Sequence, residues 1–409
     1  MISKKRAVII AVLLVLVTSA STFVFSNMIQ ISLKDKVIIT QSEYNDLASV
    51  YRKYSKNILL EDIVKEYYLR DVDEDVLLEG QLKGLFSAIE DPYSVYMTKD
   101  EFKSFMEHTK GVFGGIGVYV APGDDNLITV VSPIEDTPGE RAGIKPGDKI
   151  IKVDGREFTA DKMDEAVKHM KGEPGTEVLL TIMRKDLEGN SQIFDKNIKR
   201  EEIRIKSVKS NMLKDNIGYI RIISFDDFTY NDFMAHLKEL QNKGMKGLVL
   251  DLRNNPGGLL DISAKIADEL MGEGTIVYTE TKKKEREYLK SDKNKLGIPL
   301  TVLVNEGSAS ASEILSGALQ DTKEGTIIGT TTFGKGVVQR IKELSDGSGF
   351  KITVSEYFTP NGRNIQGIGI EPDIIVEIPK DVEQIGVENI EEDTQLQKAI
   401  EVVKEKINK

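Results

Sequence analysis

Two stretches of the chain follow one plan. In KGLVLDLRNNPGG (246–258) an apolar strand, Leu248 to Leu250 with Leu252 beyond Asp251, runs into a glycine turn and a helical segment from Leu259. IPLTVLVNEGSASASEILSGALQD (298–321) repeats it: an apolar run, a short loop, then a helix. Strands that are apolar throughout belong to a sheet covered on both faces, and their alternation with helices from about Ser207 to Lys380 gives an α/β core. In such a core the reactive side chains sit at the strand ends. A chain of 409 residues with 40% hydrophobic content exceeds that core and divides into about two or three domains.

The remaining segments differ in texture. From about Leu33 to His108 the pattern is helical and charged, with Leu78, Leu82, Leu85 and Ile89 at helical spacing until Asp91-Pro92 marks a turn. From 111 to about 200 it changes to short strands: GVFGGIGVYV is a glycine turn entering an alternating strand, NLITVVSPI is a second strand, and Asp154-Gly155 is a hairpin signal. A helix follows, with Met163, Ala166, Val167 and Met170 on one stripe that ends at Gly172. A strand edge entered through a glycine loop and facing an amphipathic helix lets an extended peptide add itself as a strand. The N–H groups of Gly114, Gly115, Ile116 and Gly117 would then receive its terminal carboxylate. KKKEREYLKSDKNK (282–295) reads as a solvated loop or an exposed strand edge.

Composition removes whole classes of function. With 55 basic against 66 acidic residues the net charge is -11, which gives no general attraction to phosphate backbones, so nucleic acid is not an expected partner. The absence of cysteine excludes disulfides, thiolate metal sites and a cysteine nucleophile. The three histidines, His108, His169 and His236, have no metal-ligand spacing, so a metal site is not expected. At the N-terminus Lys4, Lys5 and Arg6 precede nineteen uncharged residues, AVIIAVLLVLVTSASTFVF. As a helix these cover roughly 28 Å, close to a bilayer core, and the positive flank would stay in the cytoplasm. The TSA ending at Ala20 loosely resembles a signal-peptidase site, but the apolar run continues through Phe25, which favours a retained single-pass anchor over secretion after cleavage.

The chemistry centres on NEGSASASEIL (305–315), where Ser308, Ser310 and Ser312 fall at every second position between a strand and a helix. Backbone N–H groups and the helix dipole there stabilise negative charge, so an oxyanion would be favoured. A serine nucleophile still needs a base, and with so few histidines the candidates are lysines and carboxylates. TIIGTTTFGKGVVQR (326–340) sets Lys335 between two glycines with no acid beside it in sequence, where burial would lower its pKa, and Gln339 four residues on would hold the amine. Each element also has a plain structural reading: a small-residue helix start, a surface lysine in a turn, a polar strand residue.

Taken together the motifs resemble a family. GGIGVYV, TPGERAGIKPGDKIIKVDG and the helix after it resemble a bacterial PDZ domain over about ninety residues. NEGSASASEI, GTTTFGKGVVQ, DLRNNPGG, NGRNIQGIGIEPD and DPYSVYM are similar to the C-terminal processing peptidases, or tail-specific proteases, across nearly the whole chain after the anchor. The resemblance implies a serine endopeptidase with Ser310 as nucleophile, Lys335 as base and Gln339 as its support, an acyl transfer that needs no metal or organic cofactor. Ser308 and Ser312 would be packing or capping residues. It implies an oxyanion hole from Ala311 N–H and either Gly257 or Gly258. Substrates would be proteins or peptides bound by their C-terminus in the PDZ groove, lined by Gly114 to Gly117, Met163 and Val167. Many relatives carry arginine where this chain has Lys171, which keeps the charge but loses the bidentate fork, so a regulatory role for that residue is less firmly implied.

The expected fold is therefore an α/β multidomain. Residues 1–27 form the anchor or signal, 33–108 a helical region, 111–200 an inserted PDZ domain, built as a small β-barrel with two helices, 205–380 a crotonase- or ClpP-like layered peptidase core, and 381–409 a C-terminal helical segment. The terminal helices either form a homodimer or cap the core. The rival function is a membrane-tethered PDZ adaptor or chaperone whose peptidase-like core only binds.

Overall fold

The computed structural model describes residues 3–27, 31–33, 36–185, 189–382 and 384–408. The few other positions within the expected segments, such as 34–35, 186–188 and 383, lie outside the described residues. The chain forms two compact units, Met1–Leu85 and Phe86–Lys409.

The first unit is helical apart from a short antiparallel pair, Ile31–Leu33 with Lys36–Ile38. Helix Lys4–Asn27 contains the apolar run, and from Lys4 to Phe23 it is long and apolar enough to cross a membrane. Helix Gln41–Tyr67 starts at a capping box in which Thr40 and Glu43 satisfy each other's backbone N–H groups. The next helix, Glu74–Ser87, ends before Ile89, which lies in the turn leading to Asp91-Pro92. The helical spacing thus overran the helix by one position of the stripe.

In the second unit the region 111–200 folds as its own lobe. Five strands pair antiparallel in the order Ser191–Lys199, Glu177–Lys185, Lys149–Val153, Ile128–Pro133 and Val118–Pro122, with helices Pro138–Arg141 and Met163–Met170 beside them. Asp154 and Gly155, both at positive φ, make the tight turn from Lys149–Val153 to Arg156–Glu157. The lobe has a separate core that includes Ile128, Ile150, Leu180 and Ile182. Its entry strand Val112–Gly115 pairs with its exit strand Glu201–Arg204, so the chain enters and leaves through one doorway, as an inserted domain does.

The rest of the second unit is built on a six-stranded sheet in the order Val208–Met212, Ile217–Ile222, Gly247–Asp251, Leu300–Val304, Thr326–Gly329 and Ile374–Ile375. The first pair is antiparallel and the others are parallel. Strand alternation explains why these runs are apolar throughout. Leu248 and Leu250 face helices Thr229–Asn242, Leu260–Leu270 and Ala311–Asp321, while Val249 faces the C-terminal helix Thr394–Ile407. Leu396, Ala399, Val402 and Val403 of that helix are buried against the sheet, so it caps the core. A second sheet pairs Arg286–Ser291, Gly274–Thr281, Gly349–Phe358 and Val337–Glu343, with Val95–Met97 added against Gly349–Phe358. Its exposed edge strand Arg286–Ser291 is the charged 282–295 run.

Candidate active site

Ser310 lies between strand Leu300–Val304 and helix Ala311–Asp321, with φ 54° and ψ −112°. This left-handed conformation is costly for a serine and persists only when its surroundings fix it. They do so through both neighbouring serines. Ser308 Oγ donates to Leu252 O at 2.8 Å and Ser312 Oγ to Asn255 O at 2.9 Å, and both residues are fully buried. Each thus pins the serine loop to the glycine turn of the adjacent strand. Ser310 is only half-buried, and its hydroxyl donates to no group among the described residues. It borders a cavity of about 320 Å³ shared with Gly257, Gly258, Lys335, Gln339 and His108.

One fully buried carboxylate joins the serine to the lysine. Glu313, in the first turn of the serine helix, accepts from Ser310 N–H at 2.8 Å, Thr332 Oγ1 at 2.6 Å, Gly334 N–H at 2.7 Å and Lys335 N–H at 2.9 Å. Four donors thus satisfy oxygens that are wholly removed from water. Tyr357, 1% exposed, bridges the same two loops from the second sheet, with its hydroxyl 2.5 Å from Lys335 O and 3.1 Å from Ser310 O. Burial and the nearby Glu313 carboxylate raise its pKa well above the ordinary tyrosine value, so it stays a donor.

The Lys335 side chain is half-buried and makes no ion pair among the described residues. Burial, then repulsion from Lys351, lowers its pKa, and Asp91 and Glu313 oppose that shift only in part. Its ammonium lies 4.8 Å from the ring centre of Tyr93. Among the described residues no hydrogen bond joins it to Ser310 or Gln339. The Gln339 amide instead donates, at 3.4 Å, to Val337 O and Thr353 Oγ1. The sequence expectation that Gln339 holds the amine is thus not met in this arrangement, because β pairing turns its amide toward the neighbouring strand.

On the other side of Ser310 the turn NNPGG comes close. Gly257 has φ +101°, and a Cβ there would lie 2.8 Å from Ser310 Cβ and 3.0 Å from Ala311 N, so only glycine fits. The Gly257 N–H donates to Asn255 Oδ1 at 2.9 Å, whereas the Gly258 and Ala311 N–H groups have no acceptor among the described residues. The turn is anchored from behind by Arg253, which is 1% exposed and donates to Asp251 at 2.6 and 2.9 Å and to Asp393 at 2.8 Å.

In the small lobe a groove of about 130 Å³ runs between the glycine strand and helix Met163–Met170, bordered by Gly115, Ile116, Gly117, Val118, Val167 and Met170. The four residues expected to offer N–H groups to a carboxylate fall in two places. Gly114 and Gly115 lie in the strand that pairs with Glu201–Arg204, with Gly114 O accepting from Gly172 N–H at 3.1 Å, and Ile116 and Gly117 follow it at the groove mouth. Met163 packs on the lobe's core and does not border the groove. Lys171, at the groove's end, sits 3.4 Å from Glu107 and 4.9 Å from the Phe113 ring centre. Glu107 belongs to helix Lys99–Lys110, whose Phe105, His108 and Thr109 border the Ser310 cavity, so one helix touches both sites.

Sequence reasoning missed Glu313, Tyr357, Thr332 and Tyr93. Only Glu313 left a local signal, since a serine followed three residues later by glutamate is a capping pattern. Among the described residues no group of three or more His, Asp or Glu side chains is placed to hold a metal ion.

Comparison with known proteins agrees with this architecture. Residues 216–376 match peptidase family S41, 129–184 match a PDZ domain, and 15–101 match the N-terminal domain of the activating protease CtpB. A carboxy-terminal-processing protease of Bartonella bacilliformis is 41% identical over 353 residues, covering 84% of this chain and 80% of the relative. The carboxy-terminal processing protease CtpA of Bacillus subtilis is 41% identical over 330 residues, covering 80% of this chain and 70% of the relative. A solved S41 protease structure from Bacteroides fragilis shares the fold at 17% identity with a TM-score of 0.52, covering 80% of this chain and 90% of that one. The chain belongs to the carboxy-terminal processing proteases, serine-type endopeptidases of family S41 that carry a PDZ domain.

Proposed function

We propose that this protease cleaves protein substrates by a Ser-Lys mechanism after binding their C-termini in the PDZ groove. Neutral Lys335 takes the Ser310 proton as Oγ attacks the peptide carbonyl carbon. The oxyanion forms against the Ala311 and Gly258 N–H groups, and the lysine's new proton passes to the departing amine. Water, deprotonated by the same amine, then attacks the ester and releases the acyl group, returning the proton to Ser310. Gln339 would support the amine once it turns toward Ser310. The observation that carries this reading is the pair of bridges, Glu313 and Tyr357, that hold Ser310 and Lys335 at one cavity. Of the two candidate glycines, Gly258 is preferred because the Gly257 N–H is already bonded.

In the groove, Ile116 and Gly117 N–H would receive the substrate's terminal carboxylate, with Val167 and Met170 against its last side chain. Lys171 and Glu107 would couple occupancy of the groove to the helix beside the active site. The membrane role is a retained anchor from helix Lys4–Asn27 with the protease outside, supported by its apolar surface and its basic flank. The exposed Tyr44, Leu47, Tyr51 and Tyr54 of helix Gln41–Tyr67 support self-association into a homodimer.

The test is cleavage of an unfolded protein with an apolar C-terminal tail by the full chain in detergent. The parent is expected to cut it, and Ser310→Ala and Lys335→Ala to bind the tail without cutting. Cutting by either variant overturns the assigned pair. Release of the protein from membranes by alkaline carbonate would overturn the anchor.

A further inference from the structure

The motif DPYSVYM, left without a role by the mechanism above, lies against the base. Its Asp91 accepts from Tyr93 N–H at 3.0 Å and from Ser94 Oγ at 2.6 Å, which closes a tight turn. Ser94, 4% exposed, in turn accepts from Thr353 N–H at 3.0 Å, so the turn is fastened to the strand that also carries Lys351 and Tyr357. The turn presents the Tyr93 ring to the Lys335 ammonium, 4.8 Å from the ring centre. Two facts then stand together: the amine rests on an aromatic face, and among the described residues it has no hydrogen bond to Ser310.

We propose that Tyr93 is a positioning residue that parks the Lys335 amine, holding it charged and away from Ser310 until the site is engaged. A ring face attracts an ammonium and not a neutral amine, so the parked state favours the protonated lysine that cannot act as base. For catalysis the amine must leave the ring, lose its proton and reach the serine hydroxyl. The other groups around it set the balance. Lys351 repels it from the neighbouring strand, where its own ammonium lies 5.5 Å from the Phe105 ring centre. Asp91 from the turn and Glu313 from the serine helix attract it. Tyr357 touches its backbone carbonyl and stays protonated, and His108 from helix Lys99–Lys110 borders the same cavity. Among these, Tyr93 is the group in direct contact with the ammonium that stabilises charge without supplying a carboxylate. It lets the lysine be protonated at rest yet release its proton once moved.

This inference rests on Lys335 being the base, and the experiment separates the two. In the full chain in detergent, the neutral fraction of Lys335 is read by competitive acetylation with acetic anhydride across pH, followed by peptide mass spectrometry, alongside cleavage of the unfolded substrate. Tyr93→Leu should raise acetylation of Lys335 about three- to tenfold at any pH below its midpoint, with a matching rise in kcat and little change in KM. Tyr93→Phe keeps the ring and should retain the parent's acetylation profile. If Tyr93→Leu proves unstable on melting, trifluorophenylalanine at position 93 keeps the shape while weakening the ring face and should move the profile the same way. An unmoved or slower profile in the ring-altering variants overturns the parking role, as does a Tyr93→Phe profile that matches Tyr93→Leu. Cleavage by Lys335→Ala overturns the base assignment itself; its loss there with an unmoved Tyr93→Leu profile removes only the parking role.

Discussion

Arg253 follows strand Gly247–Asp251 and Lys335 precedes strand Val337–Glu343, and the two cations are treated in opposite ways. The Arg253 side chain is fully buried and paired with two carboxylates, at 2.6 Å to Asp251 and 2.8 Å to Asp393. Both acids are themselves held, Asp251 by the Tyr219 hydroxyl at 2.7 Å and Asp393 by the N–H groups of Gly386 and Leu396. Lys335 has a ring, a repelling neighbour and two carboxylates that act without ion pairing. Burial works against both charges. At Arg253 the carboxylates outweigh it and raise the pKa further, while at Lys335 it prevails and lowers it. A buried charge that is fully paired acts as a structural rivet, and one left unpaired is available for proton transfer.

The largest expected effect tests the unpaired member. Lys335→Ala should lower cleavage by roughly a thousandfold or more while leaving the melting curve near the parent's, because its ammonium joins no ion pair among the described residues. Arg253→Met should invert that pattern by leaving Asp251 and Asp393 buried without their cation. The loss is about 3–5 kcal/mol, read as a shift in the denaturant midpoint. Activity at low temperature should survive in part, since Arg253 holds the NNPGG turn from behind and does not border the cavity. The same network sets an acid limit. Burial would push the Asp251 carboxyl up, but the charge and hydrogen bonds of Arg253 hold it below the ordinary value. Its stabilising contribution is therefore full above about pH 4 and lost as pH falls through the lowered value. Acid unfolding of the parent should be steep there, and Arg253→Met should flatten it.

Glu313→Gln breaks the comparison from the other side, since Glu313 ties the unpaired lysine's loop to the serine. One of its oxygens would become an amide that faces donors. We expect a kcat loss of about ten- to a hundredfold with a stability cost of about 1–3 kcal/mol, and KM close to the parent's.

The contrast also explains what the sequence could say. The strand, turn and helix of each core unit are local patterns, so the position of Ser310 after Leu300–Val304 and of Gly257 after Gly247–Asp251 was legible. The partners were not. Asp393 meets Arg253 across 140 residues, and the Ser94 contact with Thr353 spans 259, distances over which no periodicity carries information. The absence of an acid beside Lys335 in sequence was read correctly as local isolation, yet Asp91 and Glu313 reach it electrostatically from two other elements. The pairing of Val112–Gly115 with Glu201–Arg204 was illegible for the same reason: it is set by where the lobe's exit strand returns.

The smallest expected effect concerns the cation that faces Lys335. Lys351 extends from strand Gly349–Phe358, and its charge helps lower the Lys335 pKa, second to burial. Lys351→Met keeps most of the stem and removes the repulsion. Removing a like charge favours the protonated amine, so the Lys335 pKa should rise and the limb of the kcat/KM profile that climbs with pH should move to higher pH. At a fixed pH on that limb the rate falls, by about two- to fivefold for one screened charge at a half-buried site, while at the alkaline plateau the variant should match the parent. Because Lys351 makes no ion pair among the described residues, the melting temperature should hold. A uniform loss at all pH values would instead mean that Lys351 acts by shape through its contact with Phe105, and a shift to lower pH would remove repulsion as the cause.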